Sequence, residues 1–237
     1  AYDLLPMELY RDHVKGLVYS SRGCVNACDF CTVSPHWNRM QRHRSIESVV
    51  EELEMYKDLG FNIVNFKDES LTTDKERLFA LAKEVKGMGL RFKAKARLKD
   101  LDEETLSVMY EAGFREIHTG VESVTHSFEK GVSREEVVRR INLCLDLGFI
   151  VNPSFILGLP GQTPEDLEED AQFIMDVGSN PRMKVYTCMY TPHPNSKIWE
   201  SKDITIVSDD FDDYTHLRLV ALPKSLGESY SALRLLY

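Results

Sequence analysis

No run in the 237-residue sequence approaches the roughly 20 apolar residues that a membrane helix needs, and the N-terminus lacks the basic-then-apolar signature of a signal peptide. No membrane partner and a cytoplasmic location are expected. Positive charge is in deficit: 29 Lys and Arg stand against 38 Asp and Glu, a formal net charge of -9, which argues against bulk binding of nucleic-acid phosphates. Cysteine is sparse and odd in number, five in all, and three of the five crowd into the eight residues 24–31. That distribution suits a metal site in a reducing compartment better than a disulfide framework. Also missing after the first expected strand is the Gly-x-Gly-x-x-Gly of a dinucleotide-binding sheet.

What is present is ordinary globular chain: 43% apolar and 28% charged, with 13 Gly and 9 Pro. The length suits a single α/β barrel domain. The chain starts at Ala1 without Met and ends at Tyr237 in what reads as a helix, which leaves room for further domains on either side.

A short pattern recurs, Leu59-Gly60-Phe61, Met88-Gly89-Leu90, Ala112-Gly113-Phe114, Leu147-Gly148-Phe149 and more loosely Val177-Gly178-Ser179, at spacings of 24 to 35 residues. Glycine ends a helix in the left-handed conformation, and the spacing fits one strand plus one helix. Helix starts agree. Thr73 with Glu76 and Ser133 with Glu136 read as capping boxes, Thr163-Pro164-Glu165-Asp166 as a capped start with first-turn proline and carboxylates, and Ser45 and Asp102 as two more caps. Strands are expected near Leu17 to Ser20, Ile63 to Lys67, Arg91 to Arg97, Glu116 to Gly120, Asn152 to Leu157 and Lys184 to Tyr190. Alternating strands and helices imply a parallel sheet. The expected fold is α/β, a partial (βα)6 TIM-like barrel with parallel strands and a C-terminal extension, its functional end at the strand C-termini. A doubly wound sheet uses the same elements and stays open. The expected boundaries are a lead-in or linker over 1–16, the barrel over 17–191 and the extension over 192–237, where Thr191-Pro192-His193-Pro194 breaks the repeat.

Directly after the first strand stands Cys24-Val25-Asn26-Ala27-Cys28-Asp29-Phe30-Cys31. A four-iron cluster held by three thiolates keeps one iron open, and an open metal position normally receives a ligand. Structural zinc, with His36 or His43 as fourth ligand, is the competing reading and would make the chain a zinc-stabilised binding module rather than an enzyme. The place of the array on the first loop of the repeat favours the cluster. Cys144, between Leu143 and Leu145, reads as a core thiol.

This array resembles that of the radical S-adenosylmethionine superfamily. Arg42-His43-Arg44-Ser45, Phe66-Lys67-Asp68-Glu69, Arg97, Gly120-Val121-Glu122-Ser123 and Phe155-Ile156-Leu157-Gly158-Leu159-Pro160-Gly161 resemble its cobalamin-dependent and methylthiotransferase-like branch. The resemblance implies a [4Fe-4S] cluster on Cys24, Cys28 and Cys31, with S-adenosylmethionine as cofactor. It also implies cleavage of that molecule to a 5'-deoxyadenosyl radical that abstracts hydrogen from a small-molecule or peptide substrate, with flavodoxin or ferredoxin as electron donor. Position by position it assigns Asp68 or Glu69 to the methionine amino group, Arg97 to the carboxylate, Glu122 and Ser123 to the ribose, and Ile156 and Gly158 to the adenine. Phe30 and Tyr190 are added as contacts to the same ring. Cobalamin enters as a cofactor of the full-length protein, for methyl transfer or ring formation. The segment Tyr2 to Tyr10 resembles the linker that follows a cobalamin domain, although no such domain is in this sequence; a cobalamin-independent enzyme is the alternative.

The third strand alternates strictly, Arg91, Lys93, Lys95 and Arg97 on one face and Phe92, Ala94 and Ala96 on the other. Helices must cover the apolar face, so the basic residues, with Glu116, His118, Asn152 and Ser154, are expected inside the barrel. There Lys93, Lys95 or Arg97 would meet an anionic group, and His118, the candidate catalytic residue, is placed to move protons. The sequence departs from the family where Pro192-His193-Pro194-Asn195-Ser196 replaces Pro-x-Pro-Gly-Thr; Asn is expected to take the left-handed turn. A second three-cysteine set and a basic C-terminal RNA module are lacking, which argues against a transfer-RNA methylthiotransferase. Val33 stands where porphyrinogen oxidases carry a fourth cysteine.

Overall fold

Each strand of the repeat but the last runs through a loop into a helix. The computed structural model describes Pro6 and residues 15–126, 132–199, 201–208, 210–214 and 220–226. The linker-like segment Tyr2 to Tyr10, apart from Pro6, and the helix expected at Tyr237 lie outside these residues. Six strands, β1 (Gly16–Val18), β2 (Ile63–Phe66), β3 (Arg91–Lys95), β4 (Phe114–Glu122), β5 (Ile150–Leu157) and β6 (Tyr186–Met189), form one sheet in that order. The registered pairs β1 with β2, β2 with β3, β3 with β4 and β5 with β6 are parallel. Between the strands lie α1 (Ile46–Asp58), α2 (Lys75–Val85), α3 (Glu103–Ala112), α4 (Arg134–Asp146) and α5 (Pro164–Gly178). Strand order follows chain order throughout, so the sheet has no reversal point. That order excludes the doubly wound alternative and is the one a (βα)6 barrel requires.

By packing, the chain divides into two compact units, one of residues 1–24, 41–119 and 139–152, the other of 25–40, 120–138 and 153–237. In the first, Phe66, Phe92 and Phe114 stack across β2, β3 and β4 with ring centroids 5.2 to 5.6 Å apart. In the second, Phe155 of β5 packs against Phe173 of α5 at 6.0 Å. Leu159, Tyr190, Ile204 and Ala221 form a further buried cluster there. Ile204 and Ala221 belong to an antiparallel pair, Ile204–Ile206 with Ala221–Pro223, in the segment after the last sheet strand.

Local signals held with two shifts. Ser45, Asp102 and Thr163 accept the expected amides, and Thr163 and Asp166 close a reciprocal capping box. Glu136 donates its amide to Ser133 at 3.3 Å. The cap of α2, however, is Asp74 rather than Thr73: its carboxylate accepts the Arg77 amide at 3.0 Å, and a negative oxygen suits the positive end of the helix better than a hydroxyl. Gly178 departs too, because it stays within α5 and the helix ends at Ser179 in a right-handed conformation. Gly113 shows why glycine is required at such junctions: its φ is 106°, and a Cβ would lie 2.8 Å from the Leu90 carbonyl oxygen. Asn195 takes the left-handed turn expected of it, with φ 70°.

The α3 cap gives a direct test. Burial pushes the Asp102 carboxyl up, but the Thr105 amide and the Lys75 ammonium outweigh it and hold the group at about 2. Because that lies below the ordinary value of 3.8, the cap contributes fully above pH 3.8 and is lost as pH falls toward 2. Asp102→Ala should lower stability by about 1 kcal/mol in urea unfolding at pH 7, with the difference from wild type shrinking below pH 4.

Candidate active site

The loop after β1 leads into the cysteine array, and in the first unit its course is set by one carboxylate. Asp68, just past β2, is 1% exposed and accepts the Ser20 amide at 2.8 Å, the Ser20 hydroxyl at 2.6 Å and the Ser21 hydroxyl at 2.5 Å. Gln41 donates to the Ser21 hydroxyl at 2.9 Å. Arg44 donates to the Tyr19 carbonyl at 3.0 Å and pairs with Glu52 at 2.5 Å. Arg77 reaches the carbonyls of Ser20 and Arg44. Asp68 is therefore a clamp on the chain entering the cysteine loop. The Glu69 carboxylate is one-third exposed and lies 3.5 Å from Lys95. Arg97, partly buried, donates its backbone amide to the Thr72 hydroxyl oxygen at 3.2 Å.

The alternation of β3 is realised as expected: Phe92, Ala94 and Ala96 are buried, and the basic residues share the opposite face. Lys93 finds its anion inside the protein. Its ammonium lies 2.6 Å from Glu116, which also accepts from Asn152 at 2.6 Å. A bulge makes this possible. Phe92 is in register with Phe114, but Lys93 is in register with Glu116, so Arg115 is the extra residue. Without it Arg115 would oppose Lys93, a like-charge pair. His118 comes into register with Lys95. Burial, then the ammonium groups of Lys93, Lys95 and Lys67, push its pKa below 6.5, so the ring is neutral at pH 7 and able to accept a proton.

Cys24 ends a segment of the first unit, while Cys28 and Cys31 belong to the second. None forms a disulfide, all three are partly exposed, and the Cys31 amide donates to the Cys28 carbonyl at 3.1 Å. Among the described residues no three His, Cys, Asp or Glu side chains are gathered closely enough to enclose an ion. The fit to a cluster is one of donor chemistry: three soft thiols in a loop of irregular backbone, the ligand type iron-sulfur centres use. His43 instead faces Asp74 at 3.8 Å, and His36 packs edge-on against Trp37. Asp29, between the cysteines, is ion-paired to Lys197 at 2.6 Å. Burial raises the Cys144 thiol to about 12, as a core cysteine.

In the second unit Glu122 ends β4 at φ 67°, and Ser123 turns its amide back to the Val121 carbonyl at 2.9 Å. Ser123 is committed locally, its hydroxyl accepting the His126 amide at 2.8 Å and the Thr125 amide at 3.2 Å. Burial, followed by the Glu122 carboxylate, raises the nearby Cys188 thiol to about 11. Phe30 and Ile156 pack against the cluster that holds Tyr190. Tyr190 is 2% exposed and burial raises its phenol. Gly158 takes φ 80°, with its amide bonded to Gln162. Gln162 and Asp170, both 0% exposed, were not singled out from the sequence. Their only signal was two polar residues at otherwise unremarked positions.

Sequential parallel strands, with three thiols on the loop after the first, define the class of α/β enzymes that carry a soft metal centre at the strand ends. The family model of the Radical SAM superfamily matches residues 18–174, and the chain belongs to that superfamily. It is thus an enzyme whose cofactors are a [4Fe-4S] cluster and S-adenosylmethionine. It is 29% identical over 209 residues to an uncharacterized methyltransferase of Pyrococcus horikoshii, covering 84% of this chain and 45% of the relative. It is 29% identical over 217 residues to the anaerobic magnesium-protoporphyrin IX monomethyl ester cyclase of Rubrivivax gelatinosus, covering 87% of this chain and 38% of the relative. Its fold matches the radical S-adenosylmethionine methyltransferase TsrM of Kitasatospora setae with a TM-score of 0.74 at 17% identity, over 92% of this chain and 47% of that one. The chain spans less than half the length of each of these three proteins. Among the described residues no helix is long and apolar enough to cross a membrane.

The difference in burial between Asp68 and Glu69 has a measurable consequence. Asp68→Asn should lower unfolding stability by about 1.5–3 kcal/mol, since a buried acceptor of three hydrogen bonds loses charge and gains a misplaced donor. Glu69→Gln should stay within about 0.5 kcal/mol of wild type. Urea titration of the two variants checks both values.

Proposed function

We propose that the chain is the catalytic core of a cobalamin-using radical S-adenosylmethionine enzyme that transfers a methyl group or closes a ring. Cys24, Cys28 and Cys31 hold the cluster, and the observation that carries the reading is this triplet of cysteines outside any disulfide on the loop after β1, inside the matched family region. When bound, the reduced cluster supplies the electron that splits S-adenosylmethionine. The protein's own residues orient the reactants and exclude water. Glu69 accepts the methionine ammonium, Arg97 takes the carboxylate bidentately, and Glu122 accepts the ribose hydroxyl hydrogens. Ile156 and the Gly158 backbone meet the adenine, with Phe30 as an apolar wall. His118, neutral at pH 7, takes up the substrate proton. Lys95 faces an anionic group of the small-molecule or peptide substrate, Lys93 being engaged by Glu116.

Cobalamin enters on the character of the relatives: one is named a methyltransferase, and the TsrM structure contains cobalamin and a [4Fe-4S] cluster. A reducing, cytoplasmic setting keeps the triplet out of disulfides, with flavodoxin or ferredoxin as reductant.

Anaerobic reconstitution tests the core of the proposal. The protein should turn brown, bind about four iron and four sulfide, and release 5'-deoxyadenosine with reductant and S-adenosylmethionine. Alanine at any of Cys24, Cys28 or Cys31 should abolish both cluster and release. Colourless protein carrying one zinc sinks the reading. Release that proceeds equally, with identical products by mass spectrometry, with and without added methylcobalamin would exclude the cobalamin part alone.

A further inference from the structure

We propose that Gln162 and Asp170 are positioning residues that lock the loop after β4 to the loop after β5, in the shape that receives the adenosyl part of S-adenosylmethionine. The inference rests on the assignment above of Glu122 and Gly158 to that cofactor. Both side chains are completely buried in the second unit. The Gln162 side-chain carbonyl oxygen accepts the amides of Gly158 at 3.0 Å and Leu159 at 2.9 Å. Its amide nitrogen donates to Asp170 at 2.8 Å and to the Ser123 hydroxyl at 3.3 Å. The carboxamide thus has both lone pairs and both hydrogens engaged. The second oxygen of Asp170, which stands within α5, accepts the Val124 amide at 2.8 Å. One glutamine and one carboxylate therefore tie together three backbone amides and one hydroxyl from two different loops.

Packing supports the same junction. A Cβ on Gly161 would lie 3.2 Å from the His126 ring, so the two loops are in close contact there. From the far end of the chain, the Ser225 hydroxyl donates to the Gln162 backbone carbonyl at 2.5 Å. A buried carboxylate is costly to desolvate, and a network in which every partner is satisfied selects one loop arrangement where apolar packing would tolerate several. Glu122 immediately precedes the residues held by Asp170 and Gln162, and Gly158 is itself a donor to Gln162. The residues proposed to touch the cofactor are therefore the ones whose backbone this pair fixes.

The polarity of the pair can be reversed without losing its bonds, which gives the test. On the anaerobically reconstituted full chain, S-adenosylmethionine affinity is measured by calorimetry for wild type, Gln162→Glu, Asp170→Asn and the double variant. Amide exchange at Gly158, Leu159 and Val124 is followed in parallel. Gln162→Glu sets two carboxylates face to face, and Asp170→Asn leaves one donor facing another. Each single change should weaken binding roughly tenfold to a hundredfold and speed exchange of the three amides. In the double variant the carboxylate introduced at position 162 accepts the two loop amides and the carboxamide nitrogen introduced at position 170, whose own carbonyl oxygen accepts the Val124 amide. Affinity should return to within about threefold of wild type.

Wild-type affinity in both singles overturns the inference, as does a double variant no better than the worse single. Should a single variant not fold, Ser225→Ala loosens the same junction, with an expected weakening of about threefold to tenfold; unchanged affinity there overturns it equally. If reconstituted wild type carries its cluster yet binds no S-adenosylmethionine, the assignment of the loops to that cofactor fails first and takes this inference with it.

Discussion

A carboxylate removed from water must be supplied with donors, and Asp68 draws them from the chain that leads into the cysteine array. The amide and hydroxyl of Ser20 and the hydroxyl of Ser21 all point at it, four and three residues before Cys24. The carbonyls on the same stretch are taken by Arg44 and Arg77. Electrostatics, more than packing, thus fixes how the chain leaves β1, because the loop offers few apolar side chains to bury. The Arg42-His43-Arg44-Ser45 segment gains a physical meaning here. Arg44 holds the β1 loop through the Tyr19 carbonyl, and Ser45 caps α1, so one short stretch joins the loop to the first helix of the repeat.

The same solution recurs elsewhere. Lys93, Glu116 and Asn152 satisfy one another, as do Gln162, Asp170 and Ser123. Each group removes conspicuous polar side chains from the list of those able to meet a ligand, and the removal is informative. Ser123 has its hydroxyl engaged by two amides of its own turn. Asp68 accepts three hydrogen bonds from the protein, whereas the carboxylate of its neighbour Glu69 keeps one-third of its surface exposed.

The strands, the helix starts and the three-thiol loop were legible because each depends on neighbours close in sequence: alternation, a cap within three residues, a glycine at a helix end. Misplacements occurred where a nearby competitor won, as Asp74 did over Thr73, through its charge at a helix N-terminus. The bulge at Arg115 left no local mark, yet it decides which residue Lys93 meets. Gln162 and Asp170 were invisible for a similar reason. Their meaning lies in partners 39 and 46 residues away, at Ser123 and Val124, and a polar residue in a loop or helix normally faces solvent. Tyr190 is ambiguous in the opposite sense, since an aromatic at a strand end suits a ring-stacking site and a core equally well until burial is known.

Glu122 stands on strained backbone with no helix to cap. A carboxylate at a strand end is often the cap of the following helix, but α4 begins at Arg134, twelve residues later, so no helix start is within its reach. Its φ of 67° and the return bond from the Ser123 amide to the Val121 carbonyl describe a three-residue turn of the strained hand. Such backbone costs on the order of 1 kcal/mol or more for a residue with a side chain, and it persists only where the surroundings over-determine it. The surroundings do so here: Val124 is tied to Asp170 and Ser123 to Gln162, immediately after the turn.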